Sequence, residues 1–198
     1  MQSRDGELIE KIKLKDEDAF TQLFKRYKVM VFSYIYQMIK NVHTAEDIFV
    51  EAFMRLVKIL PKANSEFKIK PFLYKTSHNL VIDYFRKQSK AKLVSLEQTP
   101  QDSYDQTASA KTYQDILGTN KNLPSDQMQT KQLEKALEDA ISILPQKQKD
   151  VFLLRHYSGM SFKEVARVLN CPLNTALSHM QYALKTLRKQ LKPFYEGE

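Results

Sequence analysis

Residues 92–129 are a long stretch in which polar residues dominate and sustained apolar periodicity disappears. Gln, Asp, Ser, Thr and Asn are frequent there, and Pro100 and Pro124 interrupt any regular pattern. A structureless segment of this length is uncommon inside one compact domain. The sequence therefore predicts a flexible linker that joins two small domains, residues 1–91 and residues 130–198.

Both predicted domains favour helix. Apolar residues recur every three or four positions, and the whole chain has only 4 glycines in 198 residues. In the first domain two apolar stripes comprise Phe20, Leu23, Phe24, Tyr27, Val31 and Tyr34, and then Ala45, Ile48, Phe49, Ala52, Phe53 and Leu56. We expect Asp16 and Thr44 to cap the two corresponding helices. In the second domain we expect helices over residues 130–144, 146–157, 161–169 and 173–192, interrupted by Pro145, Gly159 and Pro172. The predicted fold class is all-α.

The formal net charge of +8 favours an anionic partner. Lys and Arg outnumber Asp and Glu in both predicted domains, whereas the predicted linker is net acidic. Two basic modules joined by an acidic segment suit a ligand with two separated anionic sites. A nucleic-acid duplex contacted at two places is such a ligand.

Catalytic and metal-binding patterns are missing from the sequence. It has no phosphate-binding Gly-rich loop and no Cys/His metal spacing, and its 4 histidines are scattered. Cys171 is the single cysteine, and we find neither a secretion leader nor a long uncharged apolar run. We expect a cytoplasmic protein that is not an enzyme, with no cofactor, no metal, no catalytic residue and no membrane insertion.

Residues 161–184, SFKEVARVLNCPLNTALSHMQYAL, form the clearest local motif. A short helix with Ala166 at its crossing, a tight turn at 170–172 and a second amphipathic helix are typical of a helix-turn-helix. The apolar face of the second helix comprises Ala176, Met180, Ala183, Leu184, Leu187 and Leu191. Donors and cations suited to base edges and phosphates lie opposite: Asn174, Ser178, Gln181, Tyr182, Lys185 and Lys189. A helical hairpin with a solvated face is the alternative.

The helix predicted over residues 44–60 is apolar on two sides. One side is the core-facing stripe described above. The opposite side carries Asp47, Val50, Glu51, Met54 and Val57, which is too apolar for a face that contacts only water. This side either docks on a partner or belongs to a bundle helix that is buried all round.

Residues 71–90 predict another helix, with an inner face of Leu73, Ser77, Leu80, Val81, Tyr84 and Phe85. Its outer face comprises Phe72, Lys75, Asn79, Ile82 and Arg86, followed by Lys87, Lys90 and Lys92. The preceding loop contributes Asn64, Ser65, Phe67, Lys68 and Lys70. These residue types fit a strand held by its phosphates, with one unstacked base captured by the loop. A solvated charged helix is the alternative.

In this order and spacing, the three motifs resemble the extracytoplasmic-function sigma factors of the sigma-70 family. Residues 45–56, AEDIFVEAFMRL, are similar to the family's helix that docks on core RNA polymerase. Residues 71–86, PFLYKTSHNLVIDYFR, resemble the helix that reads and melts the minus-ten element, and residues 161–191 resemble the minus-thirty-five domain. The resemblance covers nearly the whole chain except the linker.

The resemblance implies three sets of binding residues. The core-polymerase set is Asp47, Val50, Glu51 and Met54. The minus-ten set is Asn64, Phe67, Lys68, Lys70, Phe72, Lys75, Asn79, Arg86 and Lys87. The minus-thirty-five set is Asn174, Thr175, Ser178, His179, Gln181, Tyr182, Lys185 and Lys189. The implied partners are core RNA polymerase, promoter DNA and an anti-sigma factor, and the free chain is expected to be a monomer. The implied function is promoter-specific transcription initiation.

The chain departs from the family pattern at several positions. Val50 stands where glutamine is frequent, and Phe72 stands where tryptophan is common. In the second helix of the helix-turn-helix, the usually basic sites are occupied by Leu177, His179, Gln181 and Tyr182. Fewer cations mean fewer phosphate contacts, so we expect a weak minus-thirty-five interaction with a shallow salt dependence.

A stand-alone helix-turn-helix regulator is the rival interpretation. Such a protein would use residues 130–198 on DNA and residues 1–91 for oligomerisation or a ligand. It would bind two half-sites as a dimer, without core polymerase.

Overall fold

The computed structural model describes residues 3–64, 66–94 and 124–194, with side chains for residues 5–64, 66–90 and 132–194. The chain divides into two compact units, Met1–Gly118 and Thr119–Glu198. All regular structure in the described residues is α-helix or 3₁₀-helix, with no strand. The predicted all-α class is confirmed.

The described residues of the first unit form four α-helices. They are α1 (Ser3–Lys13), α2 (Glu17–Ile39), α3 (Val42–Ile59) and α4 (Ile69–Val94), with a 3₁₀ turn at Leu60–Lys62 after α3. Helix α4 begins two residues before Pro71, since proline is tolerated in a first helical turn. Lys70 therefore lies on α4 and not on the preceding loop.

Local capping sets the starts of α2 and α3. Asp16 caps α2 as predicted, because its carboxylate accepts a hydrogen bond from the Ala19 N–H at 3.0 Å. The prediction that Thr44 caps α3 is wrong. The residue before α3 is Asn41, whose side-chain oxygen accepts from the N–H of Thr44 at 2.9 Å. Lys40 ends α2 with a φ of 59°, so the chain has already turned when it reaches Asn41.

The core of the first unit lies between α2, α3 and α4. Every residue of the predicted α3 stripe is buried, and Ala45, Ala52 and Leu56 are fully so. Phe53 lies 5.1 Å from the ring of Phe24 and 4.8 Å from that of Phe49, in edge and tilted geometries. Such contacts add to the stabilisation that burial itself supplies.

A polar pair crosses this core. The Tyr34 hydroxyl lies 2.9 Å from Nδ1 of His78, and the rings of Tyr34 and Tyr74 meet at 5.4 Å. Burial lowers the pKa of His78 to about 4, so its imidazole is neutral at pH 7. The pair links α2 to α4 at a fixed register.

The second unit contains α5 (Pro124–Ser142), α6 (Gln146–Ser158), α7 (Phe162–Val168) and α8 (Leu173–Leu191), followed by a 3₁₀ turn at Lys192–Phe194. The predicted breaks are confirmed. Gly159 ends α6 with a φ of 63°, and Pro145 and Pro172 precede α6 and α8. Helix α4 extends into the start of the 92–129 segment and α5 begins within its end, while residues 95–123 lie outside the described residues. The assignment of roles to residues 1–91, 92–129 and 130–198 stays a prediction.

The helix-turn-helix of α7 and α8 is built by local bonds. Ser161 forms a capping box with Glu164, in which each side chain accepts from the other residue's N–H. Ala166 is 5% exposed, and its carbonyl accepts from the Cys171 N–H at 3.0 Å. Asn170 adopts the left-handed region, with a φ of 50°. Asparagine tolerates that conformation better than most residues do.

Asp150, on α6, is a buried acid. Ionisation of its carboxyl group should destabilise the second unit. Gln146 donates to its carboxylate at 2.8 Å, but burial raises the pKa of Asp150 to about 6. The folded chain therefore holds this proton more tightly than the unfolded chain does. As a result, the free energy of unfolding falls as pH rises from about 4 to about 6.

We expect Asp150→Asn to be more stable than the parent chain by roughly 2 to 3 kcal/mol above pH 6, and this gain to disappear near pH 4. Calorimetric unfolding of the full chain across this pH range measures the difference. Asp139→Asn, at an exposed acid of α5, is the control and should change little at any pH. An equal Asp150→Asn effect at both ends of the range would contradict the prediction.

Candidate nucleic-acid and partner-binding surfaces

The outer face of α3 is accessible in the first unit. We define this outer α3 face as Asp47, Val50, Glu51, Met54 and Val57. Val50 is 56% exposed and Met54 is 50% exposed, whereas the neighbouring Phe53 is 4% exposed. These values exclude the alternative in which α3 is buried all round. Two adjacent apolar side chains without cover are typical of a docking surface.

Acidic side chains flank the apolar part of the outer α3 face. Asp47 is exposed, and the Glu51 carboxylate accepts from Nε of Arg55 at 2.7 Å. Both members of this ion pair are about half exposed, so the pair contributes little to stability. An apolar centre beside carboxylates fits a partner surface that is apolar with cations at its edge.

The outer face of α4 presents the predicted polar and cationic residues to solvent. Lys75, Asn79 and Arg86 are exposed, and Ile82 is 39% exposed. Nη2 of Arg86 donates to Asp83 at 2.9 Å across one helical turn. A surface pair of this kind is weak, so a phosphate can compete for the guanidinium.

The loop before α4 lies beside the start of that face. The ring of Phe67 contacts that of Phe72 at 5.4 Å, with both rings half buried. The Phe67 N–H donates to the Asn64 carbonyl at 3.0 Å, which closes a tight turn. Lys68, which follows Phe67 in the sequence, is exposed. Aromatic rings beside cations are suited to stacking an unpaired base while the cations hold its phosphates.

The structure thus places the predicted loop residues beside the start of α4. The remaining members of that set, Lys70 and Lys87, lie on α4 itself, with Lys70 half buried and Lys87 exposed. Ser65 lies outside the described residues.

On α8, the predicted base-reading residues are accessible. Tyr182 is 60% exposed. Asn174, Ser178, Gln181, Lys185 and Lys189 are exposed, and Thr175 and His179 are half buried. Leu184, which we placed on the apolar face, is 40% exposed. It lies at the edge of that face because Ala176, Ala183 and Leu187 make up the part that is buried against the rest of the unit.

Sequence reasoning missed two cations on α7. Lys163 and Arg167 are exposed one turn apart on α7, and both line an open cavity of about 380 Å³. Ala166, Asn170, Cys171 and Leu173 complete its wall. The first helix of a helix-turn-helix crosses the DNA backbone, so cations four residues apart on it were a usable signal.

Two further observations bear on site chemistry. In the parts of the chain whose side chains are described, no three His, Cys, Asp or Glu residues come together in a way that could hold a metal ion. None of the described helices combines the length and apolar character needed to cross a membrane.

Two family models match the chain. Residues 23–91 match "Sigma-70 region 2", and residues 134–187 match "Sigma-70, region 4". The first match covers the outer α3 face, the loop and most of α4. The second covers the helix-turn-helix.

Two curated relatives match over almost their full length. The ECF RNA polymerase sigma factor SigW of Bacillus subtilis is 30% identical over 184 residues, which is 93% of this chain and 95% of that protein. The RNA polymerase sigma-H factor of Pseudomonas aeruginosa is 25% identical, over 97% of this chain and 96% of that protein.

Two solved structures share the fold. CnrH in complex with the cytosolic domain of CnrY has a TM-score of 0.62 at 15% identity, over 97% of this chain and 98% of that chain. The sigma factor RpoE of Bartonella quintana, in complex with the anti-sigma factor NepR, has a TM-score of 0.63 at 16% identity, over 87% and 96%.

If the outer α3 face is a free surface of the folded unit, its apolar residues should contribute little to stability. We expect Val50→Ser and Met54→Gln each to change the free energy of unfolding by no more than about 0.5 kcal/mol. Phe53→Ala, on the buried side of the same helix, should cost about 3 to 5 kcal/mol. Urea unfolding followed by circular dichroism measures all three. A cost of several kcal/mol at Val50 or Met54 would mean that the face is packed.

Proposed function

The chain belongs to the RNA polymerase sigma factors of the sigma-70 family, in the extracytoplasmic-function group, and on that premise we propose how its surfaces direct promoter-specific initiation. The protein binds core RNA polymerase and directs it to promoters that carry minus-ten and minus-thirty-five elements. The match of residues 23–91 to sigma-70 region 2 leaves the rival stand-alone regulator without support.

The outer α3 face is the core-polymerase anchor. The observation that carries this assignment is the half exposure of Val50 and Met54 on a helix whose opposite side forms the centre of the bundle. Apolar side chains at the centre of an interface supply much of its affinity. Asp47 and Glu51 at the edge would select a cationic partner surface and its orientation.

The loop and the outer α4 face hold the minus-ten strand. The Phe67 and Phe72 rings would stack an unpaired base, Asn79 would hydrogen-bond to base edges, and the cations would hold phosphates. The predicted cations here are Lys68, Lys70, Lys75, Arg86 and Lys87. Because these groups bind an unstacked strand, they favour the melted promoter over the duplex. Melting then follows from differential binding of two DNA states.

The helix-turn-helix grips the upstream duplex with two helices. Helix α8 would enter the major groove, where Ser178, Gln181, Tyr182 and Lys185 are placed to read bases. Lys163 and Arg167 on α7 would contact phosphates of the backbone. The predicted shallow salt dependence of α8 would then be made steeper by α7.

We also propose where the protein acts and which partner holds it inactive. Binding alone accounts for its work, so it needs no catalytic residue and no cofactor, and it would act in the cytoplasm, where bacterial RNA polymerase acts. The free chain would be a monomer held inactive by an anti-sigma factor. Support for that partner comes from the uncovered apolar residues of the outer α3 face and from the similar fold of RpoE, whose structure contains an anti-sigma factor. By resemblance to the family, residues 92–129 would pass through polymerase toward its active site.

Charge reversal tests the core-polymerase anchor. We expect the double variant Asp47→Lys and Glu51→Lys to lose co-elution with bacterial core RNA polymerase on size exclusion, because both edge charges then repel a cationic partner. Glu7→Lys with Glu10→Lys is the matched control. Glu10 forms a one-turn ion pair with Lys13, as Glu51 does with Arg55, so each double variant removes one such pair. Core binding that survives in the α3 variant, or that is lost equally in the control, would sink the assignment.

Salt dependence tests the two helices of the helix-turn-helix separately. We expect Lys163→Ala with Arg167→Ala to reduce the slope of log affinity against log salt by about 2, since each phosphate contact contributes about 0.9. In this variant, the affinities for matched and mismatched minus-thirty-five sequences should fall by the same factor. Gln181→Ala should instead relax base preference with an unchanged slope.

Fluorescence anisotropy of holoenzyme on a promoter selected with the parent protein gives both quantities. Lys135→Ala with Lys147→Ala removes two exposed cations of the same unit on α5 and α6, and serves as the control. An unchanged slope in the α7 variant would remove Lys163 and Arg167 from the interface.

A further inference from the structure

Helix α1 has no role in the surfaces described so far, and it lies outside residues 23–91 that match sigma-70 region 2. It packs on α2 and on the 3₁₀ turn Leu60–Lys62. Leu8 and Ile9 are 5% and 0% exposed, and Leu60 in the turn is 0% exposed. A short amphipathic helix is therefore buried against the segment that leads into the base-capturing loop.

A partly buried polar clamp holds α1 in this position. The Asp5 carboxylate accepts a hydrogen bond from the Tyr27 hydroxyl at 2.5 Å and another from the Arg26 guanidinium. Tyr27 is 3% exposed, and burial together with the Asp5 hydrogen bond raises the pKa of Tyr27 above its ordinary value. Its hydroxyl therefore stays a donor. Charge-assisted bonds of this kind are among the stronger hydrogen bonds in proteins.

The 3₁₀ turn passes directly into the loop. The Ala63 N–H donates to the Leu60 carbonyl at 3.1 Å, and Ala63 is 7% exposed. At the other end of the loop, the Phe67 ring rests on Phe72 of α4. The loop is thus held at one end by α4 and at the other by a turn that α1 supports from behind.

We propose that the Asp5, Arg26 and Tyr27 clamp is a positioning device, which holds α1 against the 3₁₀ turn and thereby fixes the base-capturing loop. Asp5 touches no DNA in this scheme. It preorganises the loop, so that capture of a flipped base requires less ordering of the chain. The inference rests on the proposed minus-ten function of that loop.

The test uses the full chain assembled with core RNA polymerase and single-stranded minus-ten oligonucleotides that carry each of the four bases at the flipped position. The readout is the affinity ratio between the preferred base and the others. We expect Asp5→Asn and Tyr27→Phe to lower this ratio by about tenfold while co-elution with core polymerase is unchanged. Hydrogen exchange at the Ala63 and Phe67 amides should be faster in both variants.

A control variant of similar stability distinguishes the positioning role of the clamp from a purely structural one. Ile35→Val removes a methyl group from the fully buried Ile35 of α2, which lowers stability without touching the clamp. An equal fall of the affinity ratio in Ile35→Val would overturn the proposal, as would an unchanged ratio in Asp5→Asn. If the parent holoenzyme itself shows no base preference, the minus-ten assignment fails and the inference fails with it.

Discussion

The first unit depends on the burial of one side of α3 between α2 and α4. Phe49 and Phe53 interlock there with Phe24 in edge and tilted contacts, and the small Ala45 and Ala52 allow the helices to approach closely. Helix α3 presents one stripe to this core. The apolar residues on the opposite side of α3 therefore stay uncovered, and the same packing that stabilises the bundle leaves exposed the face that we propose for docking.

Polar groups inside the first unit fix orientation rather than add much stability. The neutral His78 and Tyr34 pair links α2 to α4, and the Asp5 clamp links α1 to α2. A buried polar group left without a partner costs free energy, so each pair strongly favours one register of its helices. Register decides which α4 residues face outward. The exposure of Lys75 and Asn79 on α4 follows from it.

We propose that the second unit separates two tasks that a basic recognition helix often combines. Helix α8 carries amides, hydroxyls and few cations, which suits the reading of base edges more than affinity for phosphates. Lys163 and Arg167 on the preceding helix supply cations at a different place on the same surface. The tight turn at Asn170 and the Cys171 bond to Ala166 hold the two helices together.

Sequence alone determined the features that local physics encodes. Apolar spacing, caps and helix breakers predicted the all-α class, the α3 stripe and the helix-turn-helix, because they depend on residues a few positions apart. Tertiary structure decided the rest. Whether Val50 is covered, what Asp5 bonds and which cations line the cavity beside α7 depend on segments far apart in the chain. The contact of Asp5 with Tyr27 spans 22 positions, and no local periodicity records such a pairing.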